Sequence, residues 1–259
     1  MKIITITSQA EFDKVQTIKA DEEVVFDSSK IRINCILQVF GILRLKGEID
    51  SSWNGRFIVA WESSQVHNVA WGSSQVHNEA RGSSQIHQLS FNFSVSTNLT
   101  SIASLKLLGY AVALLPIKAK VKIQKSKTSI VHRFNPDVDW FDRNGVNKGT
   151  SLILFKKVSA DFKTKENTPN ETLWIIGSMV THKDWHPQEK ECGGGKFHAC
   201  SRPYFCDEFR DVLGDKYIAV KVKLVDLYEW KTNPLYPHKI GFREGKVLYE
   251  CDRFGKRIN

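Results

Sequence analysis

No stretch of this sequence is long and apolar enough to cross a bilayer. The longest hydrophobic run, from Leu107 to Ile117, is interrupted at Gly109 and Tyr110 and falls short of the roughly 20 residues a spanning helix needs. The opening segment MKIITITSQAEFDK has no basic start, apolar centre or small-residue cleavage site, so no secretory leader is expected. Cysteine is sparse and odd in number, five in all with four in the last 70 residues, which excludes an extracellular disulfide framework and points to a reducing cytoplasm. The chain has 259 residues, 41% hydrophobic and 25% charged. That is enough to bury its own core in one large or two small domains and argues against wholesale disorder.

Charge is uneven. Residues 1–100 carry 9 basic and 10 acidic side chains, and residues 101–259 carry 28 and 18. The basic excess therefore lies entirely in the later part, a distribution suited to nucleic acid or another acidic partner as well as to solubility.

A tandem repeat dominates the first half. Residues 60–69, 70–79 and 80–89 read AWESSQVHNV, AWGSSQVHNE and ARGSSQIHQL. Self-similarity at a fixed short period is the signature of a solenoid. Ala and Val/Ile suit strands, and Ser-Ser after Gly or Glu suits a corner. Stacked units would place Ala60, Ala70 and Ala80 in one inward ladder and Val66, Val76 and Ile86 in another. Gln65, Gln75 and Gln85 would form an amide ladder. Trp61, Trp71 and Arg81, with His67, His77 and His87, would form outward rows able to bind a flat ligand or, through the histidines, a metal. Ser-Ser pairs at 28 and 51 extend the pattern toward atypical terminal rungs. Ten residues make either one small coil or half of a larger one. Open solenoid ends would also expose strand edges through which copies could form a homo-oligomer.

Residues 117–123 alternate Ile117, Ala119, Val121 and Ile123 with Lys118, Lys120 and Lys122, and Lys125 and Lys127 follow. This predicts a half-buried strand with a lysine face, serving edge protection or phosphate contact. The Asp-, Asn- and Gly-rich segment 133–150 reads as a linker. The expected organisation is a β-solenoid over 1–132 and a compact α+β domain over 151–259, mainly β overall.

In the second domain, Ser201 and Pro203 predict the start of a helix running to about Val212. Glu244-Gly245 predicts a hairpin. His182, His186, Cys192, His198, Cys200 and Cys206 form a cluster of zinc-ligand types, although no CxxC pair is present. The order strand, Gly-rich turn, FHAC strand, Ser-capped aromatic helix and long strand resembles the core of the ADP-ribosyltransferase superfamily. The resemblance implies NAD as cofactor, with Ser201, Tyr204 and Phe205 over nicotinamide and Glu229 or Glu250 as the catalytic acid. Where that family places His or Arg on its first strand, this chain has Leu154, Phe155, Lys156 and Lys157. Over nearly its whole length the chain is also similar to phage and bacterial proteins that join AWGSSQV-like repeats to a domain carrying ECGGGKFHACSRPYFCDEF. That similarity implies a phage or mobile-element origin, in the host cytoplasm or on the virion. It also implies a two-part build, and no established activity. The ladders and the charge split suggest a non-enzymatic interaction protein whose solenoid face and basic C-terminal domain engage a host or phage macromolecule.

Overall fold

The structure is a computed structural model. It describes residues 1–31, 37–49, 57–60, 65–70, 75–80, 85–90, 95–98, 102, 104–189, 194–210, 212–230 and 236–258. The chain divides into two compact units, Met1–Phe134 and Asn135–Asn259. Among the described residues no helix is long and apolar enough to cross a membrane.

The first unit is a β-solenoid of two parallel sheets, each of seven strands. One sheet takes β1 (Lys2–Ile6), β3 (Glu22–Ile31), β5 (Ile42–Ile49), β7 (Gln65–Ala70), β9 (Gln85–Ser90), β11 (Ser104–Leu107) and β13 (Lys122–Lys125), in that order. The other takes β2 (Thr17–Ile18), β4 (Leu37–Val39), β6 (Phe57–Ala60), β8 (Gln75–Ala80), β10 (Val95–Asn98), β12 (Val112–Pro116) and β14 (Ile130–Phe134). Successive strands thus alternate between sheets, and one ten-residue repeat is half a coil. Gln65 pairs with Gln85, Val66 with Ile86 and His67 with His87 across the β7–β9 ladder. His77 lies on the opposite sheet between Phe57 and Thr97.

This corrects the single-file ladders expected from the repeat. Ala60 pairs with Ala80 and Ala70 with Ser90, while Val76 pairs with Ser96 and Gln75 with Val95. Ser28 also departs from the corner expected of it. It lies inside β3, where the pairing with β5 shifts register between Asp27 and Lys30, as at a bulge. The Ser-Ser pairs at 51, 63, 73 and 83 lie outside the described residues.

Residues on alternate sides of the strands fill the interior. Val24, Phe26, Leu43 and Leu45 from one sheet and Leu37, Val39 and Ile58 from the other are all buried in one cluster. The short helix α1 (Gln9–Phe12) closes the first coil. Ser8 caps it by accepting from the Glu11 amide at 3.3 Å, and buried Phe12 stacks on Phe26 with ring centroids 4.2 Å apart. Such stacking lets an apolar coil end without exposing its core.

The last coil differs from its predicted form. β12 ends at Pro116, and residues 117–121 turn a corner between the sheets. Arg133 fastens that corner by donating from Nη1 to the carbonyls of Pro116 and Ala119. Ile117, expected to be buried, is 59% exposed. Of the alternating run, Lys122 to Lys125 alone form strand.

In the second unit, α2 (Trp140–Asn144) is capped by Asp139 and ended by Gly145 at φ 60°, the left-handed conformation that glycine adopts without strain. Trp140 and Phe141 are buried in the core of this unit, so residues expected to be linker are part of its fold. Its main sheet is antiparallel. It contains β15 (Ser151–Val158), β18 (Met179–Thr181), β19 (Phe197–Cys200), β20 (Lys216–Lys223), β21 (Leu227–Tyr228), β22 (Lys239–Phe242) and β23 (Glu244–Cys251), in the order β18-β23-β20-β15-β19-β22-β21. β16 (Lys163–Thr164) and β17 (Thr172–Leu173) form a separate hairpin.

β22 and β23 are not the predicted hairpin. They lie on opposite sides of the sheet centre, and the chain passes between them at Arg243, whose amide donates to the Asp226 carbonyl. The predicted Ser201-capped α-helix is a six-residue 3-10 helix, Pro203–Glu208, with Arg202 in the cap position and no side-chain cap bond.

The coil-to-coil stacking is tight enough at one corner to demand glycine. A Cβ on Gly41 would sit 2.2 Å from the carbonyl oxygens of both Lys19 and Glu22. Gly41→Ala is therefore expected to destabilise the protein by at least about 2 kcal/mol, the range of backbone strain and overpacking. A lower denaturant midpoint at unchanged m-value would show it.

Candidate functional site

Among the described residues, two regions concentrate charged and chemically versatile side chains. The first is the last part of the solenoid. Residues 101–134 contain seven basic and no acidic side chains. Lys106, Lys118, Lys120, Lys122, Lys125 and Lys127 are all exposed. Three structural positions supply them: β11 for Lys106, the 117–121 corner for Lys118 and Lys120, and β13 with its following turn for the rest. Lys125 occupies the register position of buried Leu107. Its amine turns to the Ser129 carbonyl at 3.3 Å, so the apolar row ends in a charge. With the unit boundary at residue 134, the second unit holds 21 basic and 18 acidic side chains. The basic excess thus belongs chiefly to the solenoid's end and not to the domain that follows.

The second region lies in the C-terminal unit, whose sheet has two unlike faces. One face carries Leu152, Leu154, Val220, Val222, Ile240, Phe242 and Val247 into the apolar core. The pairings Phe155–Cys200, Cys200–Lys239 and Lys157–Tyr217 put a polar set on the other face, beneath the 3-10 helix. There Asp207, wholly buried, accepts from Lys157 Nζ at 2.9 Å, from Arg253 Nε at 2.7 Å and from the Tyr217 hydroxyl. Burial, reinforced by the Asp207 charge, pushes the Tyr217 phenol well above its usual range, so it remains a donor.

His238 Nε2 lies 2.8 Å from Glu208 Oε2, and both side chains are wholly buried. Burial, with Lys239 beside it, pulls the imidazole down to about 3, which makes it the neutral member of the pair. The Phe205 ring stacks on it at 4.5 Å.

Cations on this unit are housed by aromatic rings. Lys196 lies over Tyr228 and Trp230, and Lys239 over Phe209 and Tyr236, at 4.4 to 5.5 Å from the ring centroids. Such contacts offset part of the cost of removing an ammonium from water. Gly241 makes room for this: its absent Cβ would come 2.9 Å from Lys196 Cδ. Lys156 donates to the His198 carbonyl at 2.9 Å and sits over Trp174. Desolvation pulls its amine down to about 8. His198 stacks parallel to Trp230. Burial, with Lys239, Lys156 and Lys196 around it, pulls its imidazole down to about 2.

No protein-family model, curated protein or solved structure matches this chain. Its residues alone therefore carry the functional reading.

Of the positions suggested by the ADP-ribosyltransferase resemblance, Glu229 and Ser201 both bond to α2, and Glu250 stands apart from them on β23. Glu229 accepts from the Trp140 amide at 2.7 Å, at the start of α2. Glu250, on β23, faces Lys216 at 3.7 Å, and four strands separate β23 from β21. Ser201 is buried and donates to Asn144 Oδ1 at 2.6 Å. Phe205 is buried against His238. Neither Ser201 nor Phe205 is placed to cover a nicotinamide. Tyr204 packs edge-on against Phe205.

The zinc-ligand types are dispersed. His186 is exposed and bonded to Asp184, and the His182 ring packs against Phe197. Cys192 lies outside the described residues. Cys200 and Cys206 are neighbours, and burial together with the Cys206 thiol pushes Cys200 well above its usual range. Among the described residues no three His, Cys, Asp or Glu side chains converge to hold a metal. Trp61, Trp71 and Arg81 lie outside the described residues. The solenoid histidines divide as two on one sheet, His67 beside His87, and one on the other, His77. Sequence reasoning missed Asp207, Glu208, His238 and Arg253 because their partners are 40 or more positions away or belong to other elements.

Two outcomes are expected. Asp207→Asn leaves two buried cations without their carboxylate and should cost about 3–5 kcal/mol of stability, read from denaturant unfolding. His198 binds its proton far less readily folded than unfolded. Its contribution is therefore present above the unfolded value near 6.5 and is lost as pH falls below it, with a slope of up to about 1.4 kcal/mol per pH unit. His238 adds a like decline, so unfolding curves between pH 7 and 5 should show both, and His198→Asn should remove its own share, about half of the slope.

Proposed function

We propose that the chain is a non-enzymatic interaction module that engages an anionic macromolecule through the lysine-bearing end of its solenoid. We take that partner to be a host or phage molecule, a reading that rests on the repeat pattern and the charge split of this chain. The observation that carries the reading is the acid-free stretch 101–134, with its six exposed lysines.

Edge protection accounts for only part of that set. It covers Lys122 and Lys125, because among the described residues β13 pairs on one side only, with β11. It does not cover Lys106, since β11 pairs on both sides, or Lys118 and Lys120, which occupy a corner. Lysines kept exposed where no strand edge needs them, with no carboxylate among them, form a surface that releases counterions when it meets closely spaced phosphates. The rigid parallel ladder beneath holds them in fixed relation.

The test is binding of a short labelled DNA duplex at several salt concentrations, with an acidic polypeptide as comparison. Affinity should fall steeply with salt. In the chain carrying Lys106, Lys118, Lys120 and Lys127→Ala, it should drop at least tenfold. The slope of log affinity against log salt should fall by roughly 0.9 for each phosphate contact removed. Equal binding by the substituted chain overturns the proposal. Tighter binding of the polypeptide than of DNA makes the partner an acidic protein.

A further inference from the structure

The opposite end of the solenoid carries a second interaction surface. β1 pairs with β3 and, among the described residues, with no strand on its other side. The Lys2 amide donates to the Asp21 carbonyl at 2.7 Å, and Lys2 stands opposite Glu22. In a parallel ladder alternate residues turn their amide and carbonyl groups to the same neighbour. Lys2, Ile4 and Ile6 therefore serve β3, and Ile3 and Thr5 turn theirs to the free edge.

The edge is built from residues that favour strand pairing. Its sequence is KIITI, Ile3 is 64% exposed, and Lys2 is its one charge. Ile4, Ile6, Val15 and Val24, with the polar Lys14, Gln16, Thr17 and Glu22 around them, line a hollow of about 370 Å³ at the same end. Of the three other terminal strands, two are guarded differently: β13 carries lysines, including one at the register position of buried Leu107, and β2 is only two residues long, while β14 carries Arg133 and His132. Both are recognised ways of blocking edge-to-edge pairing.

We infer that β1 pairs antiparallel with β1 of a second copy of this chain, about a two-fold axis at Ile4. The strand is self-complementary in that register. Ile3 lies opposite the partner's Thr5 and Thr5 opposite the partner's Ile3, so the four outward-facing residues exchange all their free amide and carbonyl groups. Lys2 lies opposite the partner's Ile6, and no like charges within the strand oppose each other. Ile4 meets the partner's Ile4 as a non-hydrogen-bonded pair, the closer kind in an antiparallel ladder. Both side chains then lie on the face that lines the hollow. A two-fold contact of this kind closes on itself and gives a dimer.

Sedimentation of the full chain over a wide concentration range tests this. The mass should double as concentration rises. Ile3→Lys, which adds an edge charge at an exposed position, should keep the chain monomeric at an unchanged melting temperature. Thr5→Pro should do the same, because it removes an amide that faces outward and is not used within the chain. If Thr5→Pro fails to fold, Ile3→Lys decides. Ile4→Cys, treated with a mild disulfide oxidant, should cross-link two chains, since closely apposed Cα atoms permit the bond, while the unsubstituted chain should not. A monomeric parent chain overturns the inference. So does dimerisation of Ile3→Lys equal to the parent's, or a dimer that Ile4→Cys does not cross-link.

Discussion

Parallel main-chain pairing between every second repeat is the constraint on which the first unit rests. Because Gln65 meets Gln85 and Phe57 meets His77, each unit stacks on the next-but-one. A change at one position is therefore felt along a column of its own sheet. Two consequences follow. The interior needs apolar residues from both sheets at once, which explains why Leu37 and Ile58 share a cluster with Leu43 and Phe26. The near-identity of the three repeats serves two columns and not one, so a residue type repeated three times gives a pair on one sheet and a single on the other. A row of three histidines is excluded by this arithmetic.

The C-terminal unit depends on a different device. An antiparallel sheet whose far face is apolar could leave its near face to water. Here the near face is covered by a 3-10 helix and the chain terminus, and the cover is held by charge. Asp207 joins Lys157 on β15, Tyr217 on β20 and Arg253 on the terminal segment, three elements distant in sequence. A buried carboxylate between two buried cations adds less net stability than its short distances suggest, because desolvation offsets most of the attraction. It does, however, specify one arrangement of the cover, since a shifted helix would leave charges unpaired. Neutral His238 beneath Phe205 and the raised thiol of Cys200 fit a polar interior in which burial keeps these two groups uncharged. An interior so arranged is suited to holding a fold, and burial pushes its Cys200 and Cys251 thiols away from the thiolate form.

Much of the solenoid was legible in the sequence because its period is a local property. Residues 60–89 announce it without knowledge of distant contacts. The coil size was not legible, since a ten-residue period is compatible with one or two strands per turn and only long-range pairing decides between them. Ser28 misled because the Ser-Ser pair marks a bulge as readily as a corner. The lysine alternation over 117–123 misled because Pro116 ends its strand and Arg133 pins the turn from 14 residues or more away. Ser201 had the right residue type for a cap, but Asn144 claims its hydroxyl, a partner 57 positions away. The polar cluster around Asp207 was invisible for the same reason: each of its members is unremarkable until the sheet order brings them together.

The solenoid's two ends solve the problem of termination by opposite means, and this bears on what the unit is for. At the start, an aromatic stack of Phe12 on Phe26 covers the interior while β1 keeps an edge whose one charge is Lys2. At the finish, the interior row itself changes from Leu107 to Lys125, which no further apolar coil could cover without burying an ammonium. A solenoid that needed only solubility could use the second device at both ends. That it does not, and that lysines continue onto β11 and the corner where no edge needs defending, separates the two ends by chemistry. One end offers backbone hydrogen bonds and apolar contact to a like strand, and the other offers positive charge to an anionic surface. The ladder between them keeps these two offers at a fixed spacing along one axis.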